Sequence, residues 1–144
     1  MSADKRQVVV VPCSGIGKSF GTVAREAAYE LCEELRPKEA RLLALSKLVL
    51  GDEEARERVR ASPVIAIDGC KAQCAAKLVK LNGGTVAREV DVLEVFRRHK
   101  DLKPDGIAEL NPEGKKLARV LAEEISVTVD ETCSDPAAPG GHHA

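Results

Sequence analysis

Aromatic side chains are nearly missing from this chain: there is no Trp, one Tyr (Tyr29) and two Phe (Phe20 and Phe96). A core must therefore be built from Val, Leu, Ile and Ala. Charge of one sign is missing as well. Twenty-two basic residues face 23 acidic ones, for a formal net charge of −1. That balance gives no electrostatic case for nucleic acid or for an anionic membrane surface. No apolar run approaches the length of a membrane span. The opening MSADKRQVVVVP lacks the long apolar segment and cleavage site of a signal peptide, so the expected location is cytoplasmic. The 144 residues suit one domain with one core. Nothing in them speaks to oligomeric state.

What is present in unusual number is cysteine: Cys13, Cys32, Cys70, Cys74 and Cys133. Without an export signal a disulfide framework is not expected. Clustered thiols in a reducing compartment point instead to metal binding, redox chemistry or catalysis.

The apolar pattern alternates between short β-branched runs and helical stripes. Residues 7–12 read as a buried strand. A helix is expected from Ser19 to Leu35, with Phe20, Val23, Ala24, Ala27, Ala28, Leu31, Cys32 and Leu35 on one stripe and Pro37 behind it. Residues 40–46 are a weaker strand, and 51–60 a charged helix with Asp52 as cap. Residues 63–67 form another strand, followed by a helix over 71–81 that ends at Asn82-Gly83-Gly84. A fourth strand is expected over 85–90 and a helix over 91–98 capped by Asp91. Asn111-Pro112 starts a last helix carrying Leu117, Val120, Leu121 and Ile125. The predicted fold is α/β: a small single-domain three-layer sandwich with a mostly parallel four-stranded sheet. The domain is assigned to residues 1–129, and 130–144 to a flexible Pro/Gly-rich tail that holds Cys133, His142 and His143.

Ligands of a parallel sheet bind beyond the carboxyl ends of its strands. Cys13 stands just past one strand end and Cys70 just past another. Cys70 and Cys74, four apart at an expected helix start, would share one helical face, where the free N–H groups favour thiolates. Cys13, Cys70 and Cys74 thus make a candidate three-thiolate site for Zn²⁺, with one coordination position left over. Asp68 is a possible fourth ligand, although an Asp before Gly69 is as readily a turn residue. Cys32 falls on the apolar stripe and reads as core. His99 reads as an exposed helix-end residue.

The loop from Ser14 to Ser19 offers backbone N–H groups at a helix start. Ser14, Gly15, Gly17, Lys18 and Ser19 are therefore candidates to hold a small anion or a phosphorylated ligand. Gly17-Lys18-Ser19 matches the end of a nucleotide-binding phosphate loop, but that pattern requires glycine where Pro12 stands. The loop is also similar to the cysteine loops of sugar phosphotransferase IIB domains and low-molecular-weight phosphatases. It is one residue short of the first and lacks the arginine of the second, which clamps the transferring phosphoryl group.

Two stretches taken together, VPCSGIGKSFGTVAREAAYEL and VIAIDGCKAQCAAKLV, resemble the DGC-domain family, to which zinc binding is ascribed. The Asp-Gly-Cys of that name corresponds to Asp68-Gly69-Cys70. The resemblance implies a small α/β domain with zinc held by Cys13, Cys70 and Cys74. The family's second-strand cysteine has no counterpart in Leu43-Ala44-Leu45-Ser46. The fourth position is then open, or filled by Asp68, Cys32 or a tail group. The expected function is zinc binding, in metal handling for example. Two alternatives stand beside it: a thiol enzyme of phosphoryl transfer, sulfur transfer or redox chemistry with Cys13 as nucleophile, and an anion-binding module with packed cysteines.

Overall fold

The computed structural model describes residues 7–13, 18–69 and 72–134. Four parallel strands form one sheet in the order β2-β1-β3-β4: β1 (Val8–Pro12), β2 (Ala40–Leu42), β3 (Val64–Asp68) and β4 (Val86–Asp91). β1 and β3 occupy the centre and are buried along their whole length. Strands covered on both faces have no solvent side to mark with polar residues, which is why VVVVP and VIAID read as continuous apolar runs. The edge strands differ. β2 is only three residues long, and β4 (VAREVD) is partly exposed throughout. Between Val64 and Ile65 the register with β4 slips, so that Val64 faces Val86 and Ile65 faces Arg88.

Six helices are described: α1 (Ser19–Tyr29), α2 (Leu45–Leu50), α3 (Glu53–Ala61), α4 (Cys74–Leu81), α5 (Val92–Arg98) and α6 (Pro112–Ser134). Helices α1, α5 and α6 pack on one another, with α1 also against β1 and β3 and α6 against β1. α2 packs with α3 and α4, and α4 lies on β3 and β4. The expected α/β sandwich is thus observed, with all four strands parallel. In α6, Leu117, Leu121, Ile125 and Val129 recur every fourth residue, and all are buried.

Local side-chain caps set the starts of three helices, α3, α5 and α6. The Asp52 carboxylate accepts from Ala55 N at 3.0 Å, and that of Asp91 from Leu93 N at 3.0 Å. Asn111 Oδ1 accepts from Gly114 N at 2.8 Å, directly before Pro112.

Four elements depart from the expected pattern. The helix after β1 is α-helical only to Tyr29. Residues Glu30–Leu35 form a π-helical turn, with Arg36 N donating to Leu31 O at 2.7 Å. The widened turn precedes Arg36, whose guanidinium makes a two-pronged pair with Asp130 on α6, each contact 2.7 Å. The second strand stops at Leu42, and Leu45–Leu50 is helical because Leu45 and Leu48 share a buried face and Gly51 closes the turn at φ 75°. The helix expected over 71–81 begins only at Cys74, because Gln73 is left-handed at φ 54°, ψ 46°. Finally, α6 runs on to Ser134, which places Cys133 in a helix packed on the core rather than in a tail.

Ile65 sits at 0% exposure at the middle of the sheet. Ile65→Ala removes three buried carbons and should cost roughly 2–5 kcal/mol. The expected readout is a lower urea midpoint at an unchanged m-value.

Candidate metal centre

The winding of the connections reverses between β1 and β3: one connection runs outward to β2, the next back across to β3 and then outward to β4. Such a switch point leaves a crevice beyond the strand ends. At this switch point stand Cys13, one residue past β1, and Asp68-Gly69, at and just past the end of β3. Cys13 N donates to Ile67 O at 2.8 Å, continuing the β1–β3 ladder. Gly69 N then donates to Cys13 Sγ at 3.3 Å across 56 positions of sequence. Sulfur accepts such a bond best as a thiolate, because the donor dipole meets a full charge. The contact joins the Cys13 segment to the Asp-Gly-Cys segment.

Gly69 is required by a close approach. A Cβ there would lie 2.8 Å from Gly21 N and from the carbonyl carbon and oxygen of Phe20. The backbone it would strike is the first turn of α1, which is pinned from the other side. Thr22 Oγ1 donates to Ile107 O at 2.8 Å, Ser19 Oγ to Pro104 O at 3.4 Å, and the Phe20 ring meets Phe96 edge-on with centroids 5.3 Å apart.

Asp68 holds the other side of the loop. It is buried, and its carboxylate accepts from Ala75 N at 2.9 Å and from Ala76 N at 3.2 Å. It thus caps α4 from the end of β3, in place of Gln73, which makes no side-chain cap bond. Burial pushes the Asp68 carboxyl above its ordinary range; the two backbone bonds pull it down, and nearby Glu89 and Asp91 push it up again. Each oxygen retains a second lone pair with which to coordinate.

Cys74 is the first residue of α4 and is exposed. The helix expected to carry both Cys70 and Cys74 begins only at Cys74, after the left-handed Gln73. Cys70 lies outside the described residues, as do Ser14, Gly15 and Gly17 of the expected anion loop and His142 and His143. Of the remaining loop residues, Lys18 is exposed just before α1, and the Ser19 hydroxyl is turned to Pro104. Among the described residues no group of three or more His, Cys, Asp or Glu side chains could hold a metal ion.

Cys32 is half-buried against the core, as expected from its stripe. Burial pushes its thiol up to about 12, with Glu33 adding to the effect. In the metal-free protein the thiol is therefore the favoured form at neutral pH. His99 is partly buried and faces Glu124 at 3.9 Å rather than standing clear of the surface. Sequence reasoning missed a cavity beside Cys13, walled in part by Arg25 and Tyr29. Their spacing of four on α1 was the available signal, since it sets both on one helix face.

The DGC-domain family profile matches residues 9–113. No curated protein and no solved structure matches the chain. Among the described residues no helix is long and apolar enough to cross a membrane.

Three outcomes follow. Gly69→Ala should destabilise the fold by roughly 1–3 kcal/mol, read by urea unfolding, because backbone on the α1 side must give way. In metal-free protein near neutral pH, iodoacetamide should label exposed Cys74 and spare Cys32 until the chain is unfolded, as mapped by peptide mass spectrometry. The Cys32 thiol titrates higher in the folded than in the unfolded state, so its contribution is whole below pH 9.0 and lost as pH rises toward about 12. Stability should fall across that window less steeply in Cys32→Ala.

Proposed function

The chain belongs to the DGC-domain family, and from that premise we propose that it is a zinc-binding protein whose ion is held by Cys13, Cys70 and Cys74. Family membership is consistent with a metal-binding role; zinc and these ligands are the further step. The observation that carries it is the bond from Gly69 N to Cys13 Sγ. It draws Cys13 against the residue that precedes Cys70, at the switch point of the sheet. Thiolates are the donors that suit Zn²⁺, and three of them leave one tetrahedral position for Asp68, water or a passing ligand. Bound there, zinc would supply a Lewis-acidic centre, or a folding constraint across the strand ends.

The chain's own residues do the positioning. Asp68 ties the loop to α4, and Gly69 lets that loop lie on α1. The Ser14–Ser19 segment would lie beside the thiols as an anion pocket. Two observations weigh against the rival readings. Reactive cysteines are partly exposed, whereas Cys13 is only 7% exposed, which disfavours it as a nucleophile. Cys74 is exposed rather than packed, which disfavours a purely structural cysteine set.

Metal analysis tests the proposal. Purified protein should carry about one zinc per chain. Cys13→Ala, Cys70→Ala and Cys74→Ala should each lose it, and Cys32→Ala should keep it. Asp68→Asn should weaken zinc affinity by about 10–100-fold, the range expected of a residue that orients ligands. Native protein that lacks metal and takes up no added Zn²⁺ tightly would overturn the reading.

A further inference from the structure

β4 is an edge of the sheet, paired with β3 alone among the described residues, and we propose that this edge accepts a fifth strand from a basic, extended segment of a partner protein. A groove of about 350 Å³ runs beside it, between β4, α5 and the later half of α6. All four residues from Arg88 to Asp91 line it. Successive side chains of a strand point to opposite faces, so a groove confined to one face would meet only alternate residues. This one therefore reaches the backbone edge itself. Among the described residues no backbone hydrogen bond is made on the outer side of β4. Such an edge presents a row of N–H and C=O groups that another extended chain can satisfy. The register slip between Val64 and Ile65 bends the strand ahead of Arg88, so the stretch open to pairing is Arg88 to Asp91.

The groove chooses its partner by charge. Two of its acids are already matched: Glu89 pairs with Lys80 at 2.8 Å, and Glu124 accepts two bonds from Arg98, at 3.0 and 2.9 Å. Asp91, Glu94 and Glu131 make no salt bridge among the described residues, and Arg88 is the one remaining cation among those that line the groove. Acids gathered along one groove repel each other, and a partner's Lys or Arg would relieve that repulsion. Val127, 56% exposed, and half-buried Val90 give the same groove apolar surface to cover. The occupant that fits is an extended segment in which Lys or Arg alternates with aliphatic residues. A second copy of this chain fits poorly, because antiparallel pairing of two β4 edges would bring the same acids together.

The proposal goes beyond the metal reading and needs none of the cysteines. Its test uses the full chain as purified, with metal content measured on each sample. End-blocked peptides of about six residues, a usual strand length, are titrated into ¹⁵N-labelled protein. One alternates Lys with Val and one alternates Glu with Val; a longer Lys-Leu peptide has helical spacing. The Lys-Val peptide should shift the amides of Arg88 to Asp91, Val127 and Thr128, and slow hydrogen exchange on the outer side of β4. At low salt it should bind about 10-fold or more tighter than the Glu-Val peptide, and the margin should shrink as salt rises. Two further Lys-Val peptides carry backbone N-methyl groups along one edge or along the other. Only the set that removes the donors facing β4 should lose binding. Glu94→Lys combined with Glu131→Lys, both at exposed positions, should reverse the charge preference and leave the far-UV circular dichroism and the zinc content unchanged. Binding that survives both methylations or is lost with both, equal binding of the Glu-Val peptide, preference for the helical peptide, or shifts centred elsewhere would each overturn the proposal. So would shifts of the β4 amides with protein concentration alone, which mark a second copy on that edge. Protein that binds the Lys-Val peptide but holds no zinc would overturn the metal reading alone.

Discussion

The parallel pairing of β1 with β3 is the constraint on which the rest of this molecule depends. Its register sets Val9 against Val64 and Pro12 against Ile67, so the next residue, Cys13, comes level with the end of β3. The bond from Gly69 N to Cys13 Sγ then closes the ladder with a thiol in place of a carbonyl. A slip of one residue would turn the thiol to the opposite face. A slip of two would carry it roughly 6.6 Å along the strand, at about 3.3 Å per residue, and out of hydrogen-bonding range. The buried valines and isoleucines of the two strands resist both, because either slip would unpack side chains that are covered on both faces.

Around that contact, the Asp-Gly-Cys segment divides its labour by residue type. Asp68 supplies acceptors for the first turn of α4, which begins too abruptly, after a left-handed Gln73, to cap itself. Gly69 has no Cβ to strike the backbone of Phe20 and Gly21. Cys74 stands exposed at the start of the following helix. Burial is the main reason the Asp68 carboxyl lies above its ordinary range, with Glu89 and Asp91 adding to the effect and the two backbone bonds from α4 opposing it.

The fold was largely legible because its signals are local or periodic. The valine run of β1, the helical stripe of α1 and the caps at Asp52, Asp91 and Asn111 depend on residues within a few positions of one another. Each was found where its pattern lay. The misplaced elements are those in which a local preference lost to tertiary packing. Residues 43–46 carry apolar alternation that suits a strand, yet the chain leaves the sheet at Leu42 and coils into α2, whose Leu45 and Leu48 are buried. The helix after Asp-Gly-Cys has good helical spacing from residue 71, yet it starts at Cys74 because Asp68 supplies acceptors there. The last turn before Pro37 widens to a π turn, for which no sequence signal was found.

Sequence alone determined the composition of the core, most of the succession of strands and helices, and which residues are candidates to bind a metal, because side-chain chemistry and periodicity are carried by the residues themselves. It also placed Cys13 and Cys70 at strand ends, through the rule that parallel sheets present their carboxyl edges to ligands. Only the tertiary structure decided which strand ends are neighbours, that Cys13 receives its bond from Gly69, and that Asp68 caps α4. It alone disclosed the cavity that Arg25 and Tyr29 share with Leu42, Leu45 and Ser46. Those relations join residues up to 56 positions apart. They follow from strand order and register, which arise from how whole apolar faces pack together and are written in no single stretch of the chain.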